Sequence, residues 1–326
     1  MNTNRIFPTI LLLVISALLC KAQQEILYTQ YVYNELTINP AYAGYHDALN
    51  VSLNSRKQWI GLKGSPMTIT LAGHTAFNNK NVECNSFKVK SKRVRPSQTH
   101  NKTGLGFLIF NDRIGVDNTL QANFAYSYKI VFNNDNRLSF GLQASVLNYS
   151  QNFTDLDQHN NEDPVFTENI QKTIVNFGTG IFFDNSRFYL GFSVPQVMKN
   201  YLDVVETENN RQLRQYFFTG GYLFFLSRYY KFKPSFMFRY TEDVPFQIDI
   251  DAMVIYDDKI YGGLAYRNKN TASIIFQVNF AQRMRIGLAY DYVLSEFKKA
   301  TNGNVEVLLY YNFRNSVHKV INPRYF

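Results

Sequence analysis

The segment 119–132, with the sequence TLQANFAYSYKIVF, alternates between apolar and polar residues along most of its length. In an extended strand, this alternation places large apolar side chains on one face and mostly small or polar ones on the other. Fourteen residues exceed a usual globular strand, but they suit a tilted strand that crosses a bilayer and runs into its interface. The segment therefore predicts a membrane-spanning β-strand.

The same pattern recurs along the chain, and turn residues separate the repeats. The predicted strands are 48–59, 66–78, 103–111, 119–132, 137–150, 172–183, 187–195, 214–227, 229–241, 246–257, 260–268, 271–281, 283–293 and 303–314. A soluble sandwich would also alternate, but bacterial outer-membrane barrels combine an even strand number, long strands and short turns on one side. The sequence thus predicts an all-β fold, a single antiparallel transmembrane β-barrel of about 14 strands and of the outer-membrane type.

Composition agrees with this fold. Aromatic residues make up 16% of the chain and charged residues 18%, while the mean hydropathy is slightly negative. Transmembrane helices would give long apolar runs in the sequence, whereas the apolar and polar residues of alternating strands cancel in the mean hydropathy. The net charge of +9 would fit nucleic acid or an acidic surface. Because a soluble nucleic-acid-binding protein does not need aromatics at every second position, we predict contact with outer-membrane lipid and none with nucleic acid.

Residues 1–22 have the features of a secretory signal peptide. Arg5 gives a positive start, an apolar core follows, and the triplet at 20–22 fits a cleavage site. A lipidated Cys20 is the alternative, which the bulky Leu19 before it disfavours. After cleavage only Cys84 remains, so no intramolecular disulfide and no cysteine metal cluster are expected.

Between the signal and the barrel, which we place at 48–314, residues 23–47 lack clean periodicity. Asn39-Pro40 and Gly44 mark a turn or a short irregular stretch there. Two interpretations stay open: a leader into the first strand, or a segment that lies in the periplasm or plugs the lumen. Residues 315–326 form a short basic tail that returns to the periplasm, so both termini are predicted to be periplasmic.

The predicted connections differ in length between the two sides of the barrel. Those on the side of the N-terminus are tight, and they are 133–136, 184–186, Arg228, 258–259 and Gln282. The opposite side holds 151–171 and 196–213, which are long and acidic and would face the outside of the cell. Exposed aromatics in these two loops are candidate contacts for a partner protein, namely Phe153, Phe166 and Tyr201.

One connection breaks the pattern, because 79–102 should be a short periplasmic turn and is long and basic instead. It holds seven Lys or Arg residues and one Glu, which gives +6 of the total +9. One interpretation is a disordered insertion that lies against anionic head groups. The other is a docking arm for an acidic periplasmic partner, with Lys92, Arg93 and Arg95 as its contacts.

Residues with catalytic chemistry are scattered. The five histidines have no metal-ligand spacing, and the chain has no serine elbow, phosphate loop or dinucleotide fingerprint. We therefore predict no enzyme activity, no cofactor and no metal. A hydrolase centred on His74 is a weaker alternative, since no serine or carboxylate partner is identifiable. Charged residues on the predicted lumen face are expected to pair across the lumen, and they are Asp249, Asp251, Asp291, Glu306, Arg239, Arg267 and Arg285.

A series of short motifs also follows in order along the chain. It comprises Tyr33-Asn34, Ile38-Asn39-Pro40-Ala41-Tyr42-Ala43-Gly44, Arg56, Gln58-Trp59, Gly61, Gly64-Ser65-Pro66, Gly104-Leu105-Gly106, Asn111-Asp112-Arg113-Ile114-Gly115 and Asn322-Pro323-Arg324-Tyr325-Phe326. The ordered set resembles the PorP/SprF family of type IX secretion system membrane proteins, from about Tyr28 to the last residue. Parts of it make local sense, because Gly61 and Gly64 allow positive φ, Pro66 starts a strand and Trp59 suits an interface.

The resemblance implies an outer-membrane barrel of the gliding and secreting bacteria that use this pathway. Members work with large secreted proteins that carry a C-terminal targeting domain, and deliver them or hold them at the cell surface. Others associate with periplasmic or lipoprotein components of the machine. A passive or selective pore for small solutes or lipids is the alternative hypothesis, because mixed inner charges would allow it.

Overall fold

The structure is a computed structural model that describes residues 28–46, 48–78, 101–132, 136–152, 170–201, 211–242, 244–268, 271–280 and 283–313. The predicted signal peptide 1–22, nearly all of the basic insertion 79–102 and the tail 315–326 lie outside the described residues. No helix among the described residues is both long enough and apolar enough to cross a membrane.

The described chain is built almost entirely of β-strands. They are β1 (Asn50–Lys57), β2 (Met67–Asn78), β3 (Lys102–Ile114), β4 (Asp117–Val131), β5 (Arg137–Gln151), β6 (Ile170–Asp184), β7 (Phe188–Val194), β8 (Asn200–Tyr201), β9 (Arg211–Gln212), β10 (Gln215–Tyr222), β11 (Phe224–Phe225), β12 (Tyr230–Thr241), β13 (Val244–Tyr256), β14 (Ile260–Arg267), β15 (Thr271–Phe280), β16 (Met284–Val293) and β17 (Asn304–Asn312). Each of the fourteen predicted strands overlaps one long strand of this set.

The wall is a closed antiparallel barrel of fourteen strands. β1 pairs with both β2 and β17, and β10 pairs with both β7 and β12, so the sheet returns on itself without a break. β11 adds a short pairing to β12, and β8 with β9 forms a separate two-stranded ribbon. Closure gives each wall strand a neighbour on both sides, as a bilayer requires. The predicted fold is therefore confirmed, and the soluble sandwich is excluded.

The alternation along β4 shows how the sequence determines the two faces of the wall. Phe124 on the outer face is 73% exposed, whereas Ser127 and Lys129 on the inner face are buried. The other wall strands follow the same pattern, and their outer faces carry most of the exposed Leu, Ile, Phe and Tyr side chains. An apolar exterior around a polar interior is the reverse of a soluble fold and is the arrangement of an outer-membrane barrel.

The two ends of the barrel, the turn end and the loop end, differ in their connections. At the turn end, three connections of three residues each follow β6, β13 and β15. At the loop end lie the connections from β5 to β6 and from β7 to β10, each more than fifteen residues long. The turn end also receives the long connection between β2 and β3, and the loop end also has connections of two residues after β3 and after β12, so the asymmetry is incomplete.

Residues 28–46 lie inside the barrel and are called the plug. They form three 3₁₀ turns, Tyr31–Tyr33, Glu35–Thr37 and Pro40–Tyr42, and nearly all of them are buried. Apolar plug residues share one core with inward-facing wall residues, and the plug members are Leu36, Ala41, Tyr42, Ala43 and Tyr45. From Tyr28, which lies beside loop-end side chains, the plug descends through the lumen and reaches β1 at the turn end.

Candidate functional site: the plugged lumen

The Asn39-Pro40 sequence builds the central turn of the plug. The Asn39 side chain accepts a hydrogen bond from the Ala41 amide at 2.9 Å, and Pro40 occupies the first position of the 3₁₀ turn. Both residue types favour the start of a helical turn, since one supplies an acceptor and the other fixes φ. The Asn39 amide also donates to the Ile181 carbonyl of β6 at 3.0 Å. One side chain therefore shapes the plug and attaches it to the wall.

Inward-facing glycines make room for this turn. The wall glycines that face the plug are Gly104, Gly106, Gly141, Gly180, Gly191 and Gly287. A methyl group at Gly141 would overlap the Ala41 backbone, and one at Gly180 would overlap the Asn39 carboxamide. The plug backbone thus lies directly on the wall backbone, which only glycine permits. The fit indicates that the plug is a built part of the barrel.

Wall side chains bind the carbonyl groups of the plug in the half of the lumen near the turn end. Ser193 donates to the Ile38 carbonyl at 2.9 Å, and Ser127 donates to the Ala43 carbonyl at 2.5 Å. The buried Lys129 ammonium donates to the Gly44 carbonyl at 2.7 Å. A buried carbonyl needs a donor, because leaving it unbonded costs about 1–3 kcal/mol. The wall supplies these donors from two strands, β4 and β7.

A network of buried charges holds the plug in the half of the lumen near the loop end. Arg56 lies 2.6 Å from Asp291 and 2.8 Å from Glu306, and all three side chains are at most 1% exposed. Glu306 also accepts hydrogen bonds from the backbone amides of Thr29 and Gln30, at 2.8 and 3.1 Å. The carboxylate therefore binds the wall and the plug at once.

A second ion pair lies next to this network. Arg267 of β14 donates to Asp249 of β13 at 2.9–3.0 Å, and it also reaches the Tyr28 carbonyl at 3.5 Å. The two charged residues stand opposite each other in adjacent strands. This ion pair therefore joins two neighbouring strands of the wall.

The plug also carries a buried carboxyl group, Glu35, which is 1% exposed. Burial raises the pKa of Glu35 to about 8, although the Lys233 ammonium and the Tyr189 hydroxyl act in the opposite direction. Asp251 adds a like charge nearby and raises the pKa further. At neutral pH, this plug carboxyl is therefore largely protonated.

Aromatic rings of the plug stack against wall cations and rings. The Arg285 guanidinium lies 4.6 Å from the Tyr33 ring and 4.5 Å from the Tyr261 ring. Near the turn end, the Tyr42 and Tyr45 rings stack 4.7 Å apart, and Arg137 lies over Tyr45 at 4.9 Å. Cations over ring faces are attracted by the ring quadrupole, so these contacts add to the attachment of the plug.

The predicted lumen charges do face inward, and six of the seven are buried. Their pairing differs from the prediction, because Asp249–Arg267 and Arg56–Glu306 join strands that are neighbours in the wall instead of opposite sides of the lumen. The plug occupies the space between opposite sides, which is the physical reason. Arg56, the centre of the larger network, appeared in the sequence only as part of a motif.

His74 lies on the inner face of β2 and is 7% exposed. Its ring stacks on His46 with centroids 5.8 Å apart and meets Tyr42 edge-on at 5.4 Å. These neighbours are rings of the plug, and this is the packing of a core residue. Among the described residues, no group of three or more His, Cys, Asp or Glu is placed to hold a metal ion.

The other residues singled out in the sequence lie in three places. Gly61 and Gly64 both have positive φ in the β1–β2 connection, and Gly44 has positive φ at the end of the plug. Trp59 also has positive φ, and its ring packs 5.1 Å from Phe297, while the Pro66 carbonyl accepts a hydrogen bond from Gln58. The described residues do not include Phe153, Phe166, Lys92, Arg93 and Arg95, and Tyr201 is described by its backbone alone, in β8.

A closed barrel with an apolar exterior and a lumen filled by its own N-terminal segment defines a class, the plugged outer-membrane-type β-barrels. Within that class, the family model for the type IX secretion system membrane protein PorP/SprF matches residues 20–311. The chain therefore belongs to the PorP/SprF family, and the resemblance seen in its motifs is confirmed. Membership makes it a membrane component of the type IX secretion system.

Solved barrels are similar to the chain at low sequence identity. The CymD monoaromatic hydrocarbon channel has a TM-score of 0.49 and 10% identity, over 86% of this chain and 92% of that chain. A Pseudomonas aeruginosa FadL homologue has a TM-score of 0.44 and 10% identity, over 85% and 93%. The translocator domain of the autotransporter NalP from Neisseria meningitidis has a TM-score of 0.41 and 10% identity, over 87% and 92%. Comparison with curated proteins gave no sequence match.

Proposed function

We propose that this PorP/SprF protein is a non-enzymatic outer-membrane scaffold. In this proposal it assists the delivery of a large secreted protein, or anchors it at the cell surface, through the C-terminal domain of that protein. The observation that carries the proposal is the plug. Residues 28–46 fill the lumen and pack on wall glycines. A partner would therefore bind the outer surfaces of the barrel.

We infer the orientation of the barrel from its two longest loop-end connections. In outer-membrane barrels the long loops face the outside and the short turns face the periplasm, so the loop end is assigned to the cell surface. The secreted partner would then meet the loop end, where Phe153, Phe166 and Tyr201 are the aromatic contacts proposed from sequence. The basic connection 79–102 would lie on the periplasmic side, with Lys92, Arg93 and Arg95 available to acidic periplasmic or lipoprotein components of the machine.

The first test is deletion of the gene in its own bacterium. The readout is the surface level of each large secreted protein that carries a C-terminal targeting domain, measured by labelling intact cells, and the partner is the protein whose surface level depends on the gene. We expect its surface signal to fall at least tenfold and to return when the wild-type gene is restored on a plasmid. A normal surface signal in the deletion strain would overturn the proposed function.

The second test separates this scaffold from a passive pore. The purified protein is placed in planar lipid bilayers, and its conductance is followed at constant voltage. We expect no steady open state, because the plug contacts the wall from the Arg56 network down to Arg137. A large, steady and ohmic conductance of the wild-type protein would favour the pore.

A further inference from the structure

Two connections at the loop end are joined through their glycines. The Gly115 amide, in the turn between β3 and β4, donates to the Gly64 carbonyl, in the connection between β1 and β2, at 2.9 Å. Both glycines have positive φ, and a methyl group on Gly64 would lie 3.3 Å from the Gly115 backbone. Glycine permits both the conformation and the close approach. The motifs 64–66 and 111–115 therefore meet in one corner of the barrel.

The strands that lead into this corner carry cations on their outer faces. Lys57 ends β1 and Arg113 lies near the end of β3, and both side chains are exposed, whereas their chain neighbours Arg56 and Asp112 are buried in the lumen. Met67 of β2 stands between the two cations, because it pairs with Lys57 on one side and with Arg113 on the other. Neighbouring strands lie about 4.8 Å apart, so the two cations start about 10 Å from each other.

The connection between β1 and β2 adds a third cation. Lys63 is exposed and directly precedes Gly64. The Lys57 ammonium donates to the Ser65 carbonyl of the same connection at 2.9 Å, which uses only one of its N–H donors. The contact between Gly64 and Gly115 fixes this connection against the end of β3. Three cations are thereby held in one corner by backbone contacts.

The carboxylates of this corner point into the lumen, away from the cations. Asp112 accepts from the Thr68 hydroxyl at 2.5 Å. Asp117 accepts from the Tyr149 hydroxyl at 3.1 Å and from the Gln151 amide at 2.7 Å. In the described part of β1 to β4, the outward positions nearest the loop end include two cations and no carboxylate. The outer surface of the corner is therefore positive.

An apolar row of the outer face lies below the cations, toward the middle of the wall. Leu53, Leu71 and Ile109 are all exposed, and they are partners in the ladder of β1, β2 and β3. Each lies four positions along its strand from Lys57, Met67 or Arg113, which is about 13 Å. Apolar side chains on the outer face of an outer-membrane barrel contact acyl chains. A lipid that packs on this row has its headgroup beside the cations.

We propose that Lys57, Lys63 and Arg113 bind the phosphate groups of a lipid in the outer leaflet, whose acyl chains lie along β1 to β3. Arginine binds phosphate through paired hydrogen bonds and lysine binds it as a point charge. Basic residues at a membrane surface attract anionic head groups. The continuity of the cations with the apolar row favours a lipid over an acidic protein, because a protein in solution does not reach that row. The secreted partner takes no part in this site.

The test uses the purified full-length barrel in detergent, and the probe is bisphosphoryl lipid A. Native mass spectrometry counts the bound lipid across a titration. We expect wild type to bind this lipid at least tenfold more tightly than the same lipid after removal of its phosphates. We expect the double variant Lys57→Gln/Arg113→Gln to lose that preference. Equal binding of the two lipids by wild type, or wild-type binding by the double variant, would overturn the proposal.

Two control variants separate this site from charge in general. Arg228→Gln/Arg283→Gln removes the same charge from exposed positions at the turn end, and Lys57→Arg keeps the cation in place. We expect both to bind bisphosphoryl lipid A within about twofold of wild type. A loss in either control as large as in Lys57→Gln/Arg113→Gln would overturn the proposal.

A competition with inorganic phosphate distinguishes a lipid headgroup from a free anion. We expect millimolar phosphate to leave lipid A bound to wild type, because the acyl chains add their own contacts with the wall. Complete displacement would assign the cations to a free anion and would overturn the lipid site. This arm and the comparison of the two lipids use wild type alone, so they decide the proposal even if a substitution prevents folding.

Discussion

The two halves of the lumen hold the same plug by different physical means. Near the turn end, the plug backbone lies on wall glycines, and Ser127, Lys129 and Ser193 bind its carbonyl groups. Near the loop end, the contact is electrostatic, and Glu306 accepts the amides of Thr29 and Gln30 while it pairs with Arg56. One half is sensitive to a single methyl group, and the other is sensitive to a single charge.

The plug fills a polar lumen without leaving buried charges unpaired. A charged wall residue that is buried alone destabilises the protein, because the free energy lost on removing the charge from water exceeds the electrostatic attraction that it gains in the interior. In the Arg56 network, Glu306 accepts two plug amides and Asp291 accepts the Thr29 hydroxyl, in addition to their ion pairs with Arg56, so the plug is part of the charge balance. Near the turn end, the plug backbone packs directly on wall glycines, so no charge needs to be buried in that contact.

The largest expected effect comes from the electrostatic half. Arg56→Met leaves Asp291 and Glu306 buried without their cation, and breaking such a pair costs about 3–5 kcal/mol. We expect the temperature at which the purified barrel unfolds in detergent to fall sharply, measured by its heat-dependent gel shift. As a control, Lys259→Met removes a cation from an exposed pair with Asp257 and should change little. An equal effect of both variants would contradict the special role of the network.

The plug carboxyl Glu35 predicts a pH dependence. Its raised pKa means that folding takes up a proton, so this contribution is fully present below about pH 4.5 and is lost as the pH rises through about 8. A tenfold difference in proton affinity between the folded and unfolded states corresponds to about 1.4 kcal/mol of stability. In denaturant titrations between pH 4.5 and 8, wild type should lose stability relative to Glu35→Gln, whose amide does not titrate. The groups facing Glu35 are Lys233, Asp251 and Tyr189.

A matched control is available for that pH series. Glu296 is 87% exposed and pairs with Lys299 on the surface. Glu296→Gln should therefore leave the pH profile of wild type unchanged. Parallel pH profiles for wild type and Glu35→Gln would show that burial does not hold the proton on Glu35.

The half of the lumen near the turn end is tested by adding a methyl group to a wall glycine. Gly141→Ala places a methyl group into the Ala41 backbone, whereas Gly262→Ala points into open space. Overpacking a tight interior costs about 1–3 kcal/mol. We expect a lower denaturant midpoint and faster proteolysis of the plug in Gly141→Ala, with Gly262→Ala close to wild type. Equal midpoints would mean that the plug is not seated on the glycines in solution.

Period-two alternation was enough to predict the wall, because every strand has one face in lipid and one in the lumen. The alternation of Phe124 with Ser127 and Lys129 in β4 is the clearest case. Side chains alternate with a period of two residues. Once the apolar face must contact lipid, the direction of every side chain in the strand is therefore fixed. The family could also be recognised from the sequence, because the turn of the plug needs the Asn39-Pro40 motif.

The site was only partly predictable, because its contacts join residues far apart in sequence. Residues 23–47 left two interpretations open, since nothing local distinguishes a leader from a segment packed on Gly141 and Gly180. Arg56 was visible as a motif residue, but its partners Asp291 and Glu306 lie 235 and 250 positions away. The one available signal was the recurrence of glycine at inward positions of strands, where a small residue marks close backbone approach.

The smallest expected effect tests whether the plug turn matters beyond its packing. Asn39→Ala removes the cap on the Ala41 amide, which is worth about 1 kcal/mol, and also the bond to the Ile181 carbonyl. Asn185→Ala is the matched control, because Asn185 accepts from Arg187 and Phe188 in an exposed turn and does not touch the plug. We expect both variants to lose a little stability and Asn39→Ala alone to expose the plug to protease. Equal protease protection in the two variants would mean that the glycine contacts and the Arg56 network hold the plug without its turn.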